Sequence, residues 1–79
     1  MKISFSSSES VGQQIRRARV AVGMRQGVLA RLIGKPQSWL SAAEHDLVNI
    51  RDIDLEMVVK ALKLAAQERA RRLEQVLAD

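Results

Sequence analysis

The chain has 79 residues, 13 Lys and Arg against 9 Asp and Glu for a net charge of +4, no cysteine, and one histidine, His45. That inventory excludes disulfides and thiolate metal sites, and no apolar run approaches the ~20 residues of a membrane span. A chain this short makes one small domain that buries only about 60% of the surface its unfolded form exposes, so support from a partner chain fits its size.

Residues 1–8 alternate apolar Met1, Ile3 and Phe5 with Lys2, Ser4 and Ser6, then run into serines. A period of two permits a short strand that pairs with its copy in a dimer; a frayed tail is the simpler reading. The opening MKISFSSSES has no long apolar segment and does not read as a signal peptide, so a cytoplasmic protein is expected. Ser10 with Gln13 three residues on forms a capping box, which predicts a first helix from there. Val11, Ile15, Ala18 and Val22 give that helix an apolar stripe, and Gly23 can end it in the left-handed conformation.

A second helix is predicted over 26–33 and a third over 36–45. Pro36 fits the first turn of the third, where a missing N–H costs nothing. Between them the spacing of Ala30, Gly34 and Leu40 has a steric logic. Two short helices crossing steeply need a small residue at the contact, a turn residue that accepts positive φ, and one branched side chain sent back into the crossing. Leu29, Leu32 and Ile33 recur at helical spacing and anchor the second helix in a core. These offsets predict a helix-turn-helix over 26–44, whose outer helix face is free to enter a DNA major groove. A loop through Arg51 leads to a fourth helix over 52–63 with Ile53, Leu55, Val58, Val59 and Leu62 on its apolar faces. A fifth is predicted over 65–78. The pattern is all-α, one domain over 10–79 preceded by an arm over 1–9.

The segments VGQQIRRAR, GMRQGVLARLIG, KPQSWLSAAE and DLEMVVKAL, together covering roughly 11–64, resemble the phage-repressor/Cro type (XRE-like) family of helix-turn-helix DNA-binding regulators. The resemblance implies a compact five-helix, lambda-repressor-like domain that binds double-stranded DNA. It also implies that Gln37 and Ser38 stand where the family reads bases, that Gln26 clamps the DNA backbone, and that Arg19 and Glu44 form a partly buried ion pair fixing the angle of the reading helix. The chain departs from the family pattern at Ala42 and His45, where many relatives carry Lys or Arg. It departs again at Leu47, Val48 and Asn49, where they carry a basic loop, and at Asp46, where a glycine is usual. Fewer cations there mean fewer phosphate contacts and a flatter salt dependence.

The residues support these roles chemically, each beside a blander one. Gln37, Ser38, Ser41 and Ala42 should face outward from the first two turns of the third helix. A glutamine can bond adenine N6 and N7 together and a serine several base edges, but both are also ordinary solvated residues near a helix start. Trp39 either touches a thymine methyl or sugar or packs between helices. Gln26, Arg25, Arg16, Arg17 and Arg31 are candidates for phosphate, joined by Asn49 and Arg51 from the loop, although charged residues on helices are usually just solvated. In the fifth helix Ala66, Ala70, Leu73 and Leu77 follow one another in steps of four, three and four, with Val76 beside them. That seam either closes over the chain's own core or serves a homodimer, with Leu47, Val48, Ile3 and Phe5 in reserve for the same contact.

Asp52, Asp54 and Glu56 surround a helix N-terminus, where negative charge suits the dipole, and no nucleophile–base pair, phosphate loop or metal spacing exists. An enzyme is not expected, nor a cofactor. The reading is a sequence-specific DNA-binding transcriptional regulator, a repressor acting as a homodimer on an inverted repeat in the nucleoid. Two alternatives stand beside it: an antitoxin- or controller-type DNA-binding partner of another protein, and a protein-interaction module that has lost DNA binding.

Overall fold

A computed structural model describes residues 9–78 and is all-helical, with no strand among them. The arm over 1–8, read as a frayed tail or a short pairing strand, lies outside the described residues, and Ile3 and Phe5 with it. Four helices follow in order: α1 (Val11–Ala21), α2 (Gln26–Leu32), α3 (Gln37–Glu44) and α4 (Asp52–Ala78).

α1 starts at the expected box: the Gln13 N–H donates to Ser10 Oγ at 3.1 Å while Gln13 Oε1 accepts from the Ser10 N–H at 3.2 Å. It ends at Gly23, whose φ of 72° is the left-handed one expected there. α2 ends one residue earlier than expected, with Ile33 as its C-cap, and Gly34 turns the chain at φ 68°. Pro36 is the N-cap of α3, one place before the first turn; its extended backbone (ψ 148°) redirects the chain into the helix. Asp46 takes the left-handed conformation (φ 60°) despite its side chain and uses that side chain well, accepting the Gly12 N–H at 3.1 Å. Gly12 has to be glycine, because a Cβ there would run into the carbonyl oxygens of Ala43 and Glu44. The start of α1 is thereby pressed onto the end of α3.

α1 and α2 both pack on α3 and on α4, around a core of Ile15, Ala18, Leu29, Ala30, Ile33, Leu40, Val58 and Leu62. Leu40 and Leu29 are fully enclosed and Ala30 nearly so where α2 and α3 pack on each other. Leu32 departs from expectation at 59% exposed. Leu29, Ala30 and Ile33 already fill the inward arc of this seven-residue helix, and Leu32 falls outside it. Val11 and Ile53 are likewise exposed, each in the first turn of its helix, where no element covers them.

The largest correction concerns the C-terminal half. Separate helices over 52–63 and 65–78 are a single 27-residue helix. The expected joint, Lys63-Leu64-Ala65-Ala66-Gln67, contains only strong helix formers and neither a glycine, a proline nor an N-cap residue, so nothing interrupts propagation. At 1.5 Å per residue α4 is about 40 Å long, close to the 45 Å longest dimension of the molecule.

Candidate nucleic-acid interface

The side chains singled out from the sequence divide into three groups. The first centres on Glu44, a carboxylate 3% exposed at the end of α3. Arg19, from α1, forms a two-pronged pair with it, Nε to Oε2 at 2.7 Å and Nη2 to Oε1 at 2.9 Å. The remaining prong of Arg19 donates from Nη1 to the Met24 carbonyl at 2.9 Å, which ties the α1–α2 turn to the same point. Buried ions are stabilised only when their remaining donors and acceptors are met, and removing one partner of such a pair costs about 3–5 kcal/mol.

Glu44 does one thing more. Its Oε1 accepts from Gln26 Nε2 at 3.2 Å, and Gln26 Oε1 in turn accepts from Gln37 Nε2 at 3.4 Å. A chain of bonds therefore runs from the buried pair out to two glutamines at the starts of α2 and α3. It fixes which end of each amide faces which way. Gln26 is half-buried with its Oε1 and one amide N–H engaged, which leaves it a second N–H, whereas Gln37 is exposed and keeps its Oε1 and a second N–H for another partner. Gly27 makes room for this arrangement, since a Cβ there would sit 3.1 Å from Gln37 Oε1. Neither the relay through Gln26 nor the role of Gly27 was visible in the sequence, because both depend on how α2 and α3 cross.

Beside Gln37 on α3, Ser38 is exposed, and Ser41 and Ala42 are half-buried one turn further on. Trp39 is half-buried and packs against the core, with the Lys35 ammonium over its ring at 4.9 Å. His45, exposed at the C-cap, bonds back through Nδ1 to the Ser41 carbonyl at 2.8 Å.

The second group is cationic. Arg25 is the exposed N-cap of α2 and makes no side-chain capping bond. Arg16, Arg17 and Arg31 are exposed; Arg17 pairs with Glu9 at 3.1 Å. Asn49 is exposed in the loop. Arg51 is not free: its Nε and Nη2 reach Asp54 Oδ2 and Oδ1 at 3.2 and 3.3 Å. Lys35 comes to the same carboxylate at 3.3 Å. Asp54 is thus a buried anchor for two cations from the turns flanking α3, where the sequence marked it only as a dipole-compatible acid. The Arg51 guanidinium beside it holds the Asp54 carboxyl below its usual range, Lys35 adding to that against the opposing effect of burial, and Arg51 is raised in return. The three-residue step from Arg51 to Asp54 was the available signal.

The third group is apolar and bare. Leu73, Val76 and Leu77 are 54%, 71% and 84% exposed and Leu47 77%, while Val48 is half-buried. Ala66 is half-buried and Ala70 exposed, so the seam on the last turns of α4 does not close over the chain's own core.

Among the described residues no group of three or more His, Asp or Glu side chains is placed to hold a metal ion, and no helix is long and apolar enough to cross a membrane. Compared with known proteins, the chain matches no family model, no curated protein and no solved structure.

Proposed function

We propose that this protein is a sequence-specific double-stranded DNA-binding regulator of the repressor/Cro helix-turn-helix type, with α2 and α3 as the two helices of the motif and α3 as the one that enters the major groove. The observation that supports it best is the Arg19–Glu44–Gln26–Gln37 chain of bonds. It presents a solvent-facing glutamine with a free acceptor and a free donor at the tip of α3, the pair of functions needed to meet adenine N6 and N7. Ser38 lies next to it and Ser41 one turn on. Gln26 takes a backbone phosphate at the start of α2, and the exposed Arg25, Arg16, Arg17 and Asn49 take neighbouring ones.

A single head of this size buries little DNA, and two heads on a two-fold axis double the contact on an inverted repeat. The exposed Leu73, Val76 and Leu77 at the end of α4 supply an apolar surface for that pairing. Such a chain represses by occupying a promoter, and its concentration sets the response.

Selection of bound duplexes from a random pool provides the operator. On it, Gln37→Ala is expected to lose ~1–3 kcal/mol at one base pair and to relax preference there, whereas Gln26→Ala weakens cognate and random duplexes alike through the lost phosphate contact, with a further loss on the cognate duplex because Gln37 loses its hydrogen-bond partner. Equal losses on both kinds of DNA from both substitutions would overturn the assignment of reading and clamping roles. Sedimentation across a wide concentration range, with and without operator, tests the pairing. Replacing Leu73 and Leu77 by Glu should give a folded monomer with much weaker operator binding, and a parent that is monomeric throughout would overturn the two-fold arrangement.

A further inference from the structure

The uninterrupted α4 carries two arginines to a place that a break near Leu64 would have denied them. Arg69 and Arg72, one helical turn apart, reach the α1–α2 turn, where with Arg25 they rim an open groove of about 690 Å³. Val22, Met24 and Val28 line it with apolar side chains. Arg69 is seated there by a bond from Nη1 to the Ala21 carbonyl at 3.2 Å. Arg72 is exposed and forms an i,i+4 pair with Glu68 at 3.5 Å. Three arginines against one glutamate leave the groove positively charged, and an exposed pair as long as Arg72–Glu68 is too weak to hold its arginine from a stronger anion.

We propose that this groove holds a stretch of the DNA sugar–phosphate backbone, so that α4 extends the DNA-contacting surface beyond α2 and α3. The inference rests on the DNA-binding reading above. A nucleic-acid strand alternates anionic phosphates with the apolar edges of deoxyribose, which matches cations set beside apolar side chains. Arg69 and Arg72 stand on successive positions of one helix face, so two cations line the path of a single strand. Arg25 makes the groove continuous with Gln26, its neighbour in sequence, so a strand clamped at Gln26 runs on into it. This supplies cations that the chain lacks around α3, where Ala42 and His45 stand and the following loop has Leu47, Val48 and Asn49.

The test is the salt dependence of binding by the full chain to two short duplexes of unrelated sequence. Each phosphate that a substitution leaves without its arginine should flatten the slope of log affinity against log salt by about 0.9. Arg72→Gln and Arg25→Gln should each do so equally on both duplexes, and together should do so about twice over. Arg71→Gln removes the same charge from a side chain that does not line the groove and should leave the slope unchanged. Arg72 is exposed, so its replacement leaves the fold intact, which a melting curve verifies. Parent-like slopes for Arg72→Gln with duplex binding otherwise intact would overturn this inference alone; no duplex binding by the parent would overturn it together with the DNA-binding reading. A Glu–Leu repeat peptide that binds the parent and not Arg72→Gln, with duplex slopes unaltered, would give the groove to an acidic protein partner and equally overturn it.

Discussion

The two halves of α4 share one helix and one apolar periodicity, yet they live in different environments. In the first half Asp54, Val58 and Leu62 are buried; beyond Leu62 no residue is, and from Gln67 onward every described side chain is exposed. On a helical wheel of 100° per residue, Leu73 and Val76 fall on the same side as Val58 and Leu62. The stripe continues while the body beneath it stops. An apolar seam therefore marks a face that can be buried, and whether it is depends on there being something within reach to bury it. The first half builds the fold that positions α3, and the second half presents exposed leucines and arginines, the surfaces that the proposed dimer and the proposed strand contact would use.

The sharpest way to break that contrast is to make the same cut in both halves. Leu62 is 1% exposed and Leu73 54%. Leu62→Ala should cost about 2–5 kcal/mol, from the transfer energy of the deleted atoms and the cavity left behind. Leu73→Ala in the monomer should stay within about 0.5 kcal/mol of the parent. Denaturant melts at low protein concentration measure both, and comparable losses would mean that the end of α4 is packed on the body after all.

A second, smaller difference should appear with pH. Asp54 binds Arg51 and Lys35 in the folded chain, and its folded pKa lies below the unfolded one of about 3.9. The sign follows: the stabilisation is complete above the unfolded value and disappears as pH falls through the folded value. The melting temperature of the parent should therefore drop on acidification below about pH 4, and that of Asp54→Asn should start lower and fall less over the same range. Parallel curves would show that the carboxylate does not hold the first turn of α4.

What the sequence disclosed and what it hid divide along the same line between local and tertiary causes. Ser10 with Gln13, Gly23 and Gly34 are local devices, and each was readable because its physics involves only neighbouring residues. The pairing of Arg19 with Glu44 is not local: 25 residues separate the two, and only the resemblance points to it. Leu32 escapes the pattern because helical spacing identifies an apolar arc without saying how much of it a seven-residue helix can bury. A break near Leu64 would follow only if a second apolar stripe needed its own helix, and the residues there carry no stop signal. Gln26 and Asp54 stand out for their own chemistry but not for their partners, which arrive from 18 and 19 residues away, Gln26 at Glu44 and Asp54 at Lys35.

The smallest effect concerns a hydrogen bond that joins the outer half of α4 to the body. Arg69 donates to the Ala21 carbonyl, one of the last carbonyls of α1, and places positive charge at the negative end of that helix. An exposed contact of this kind is worth about 0.3–1 kcal/mol, so Arg69→Ala should barely move the melting temperature. Its signature is local. A helix end with few packed side chains opens independently of the rest, and without its tether the amides beyond Leu62 should exchange hydrogen faster while those of Asp54 to Leu62 keep parent rates. Gly23→Ala approaches the same tether from the other side, since its Cβ would lie 3.1 Å from Arg69 Nη1 and its φ of 72° disfavours a side chain. It should accelerate the same outer amides and, because of the backbone conformation, also lower the melting temperature. Uniform acceleration along all of α4 in Arg69→Ala would mean that the two halves open together, and the division between them would have to be abandoned.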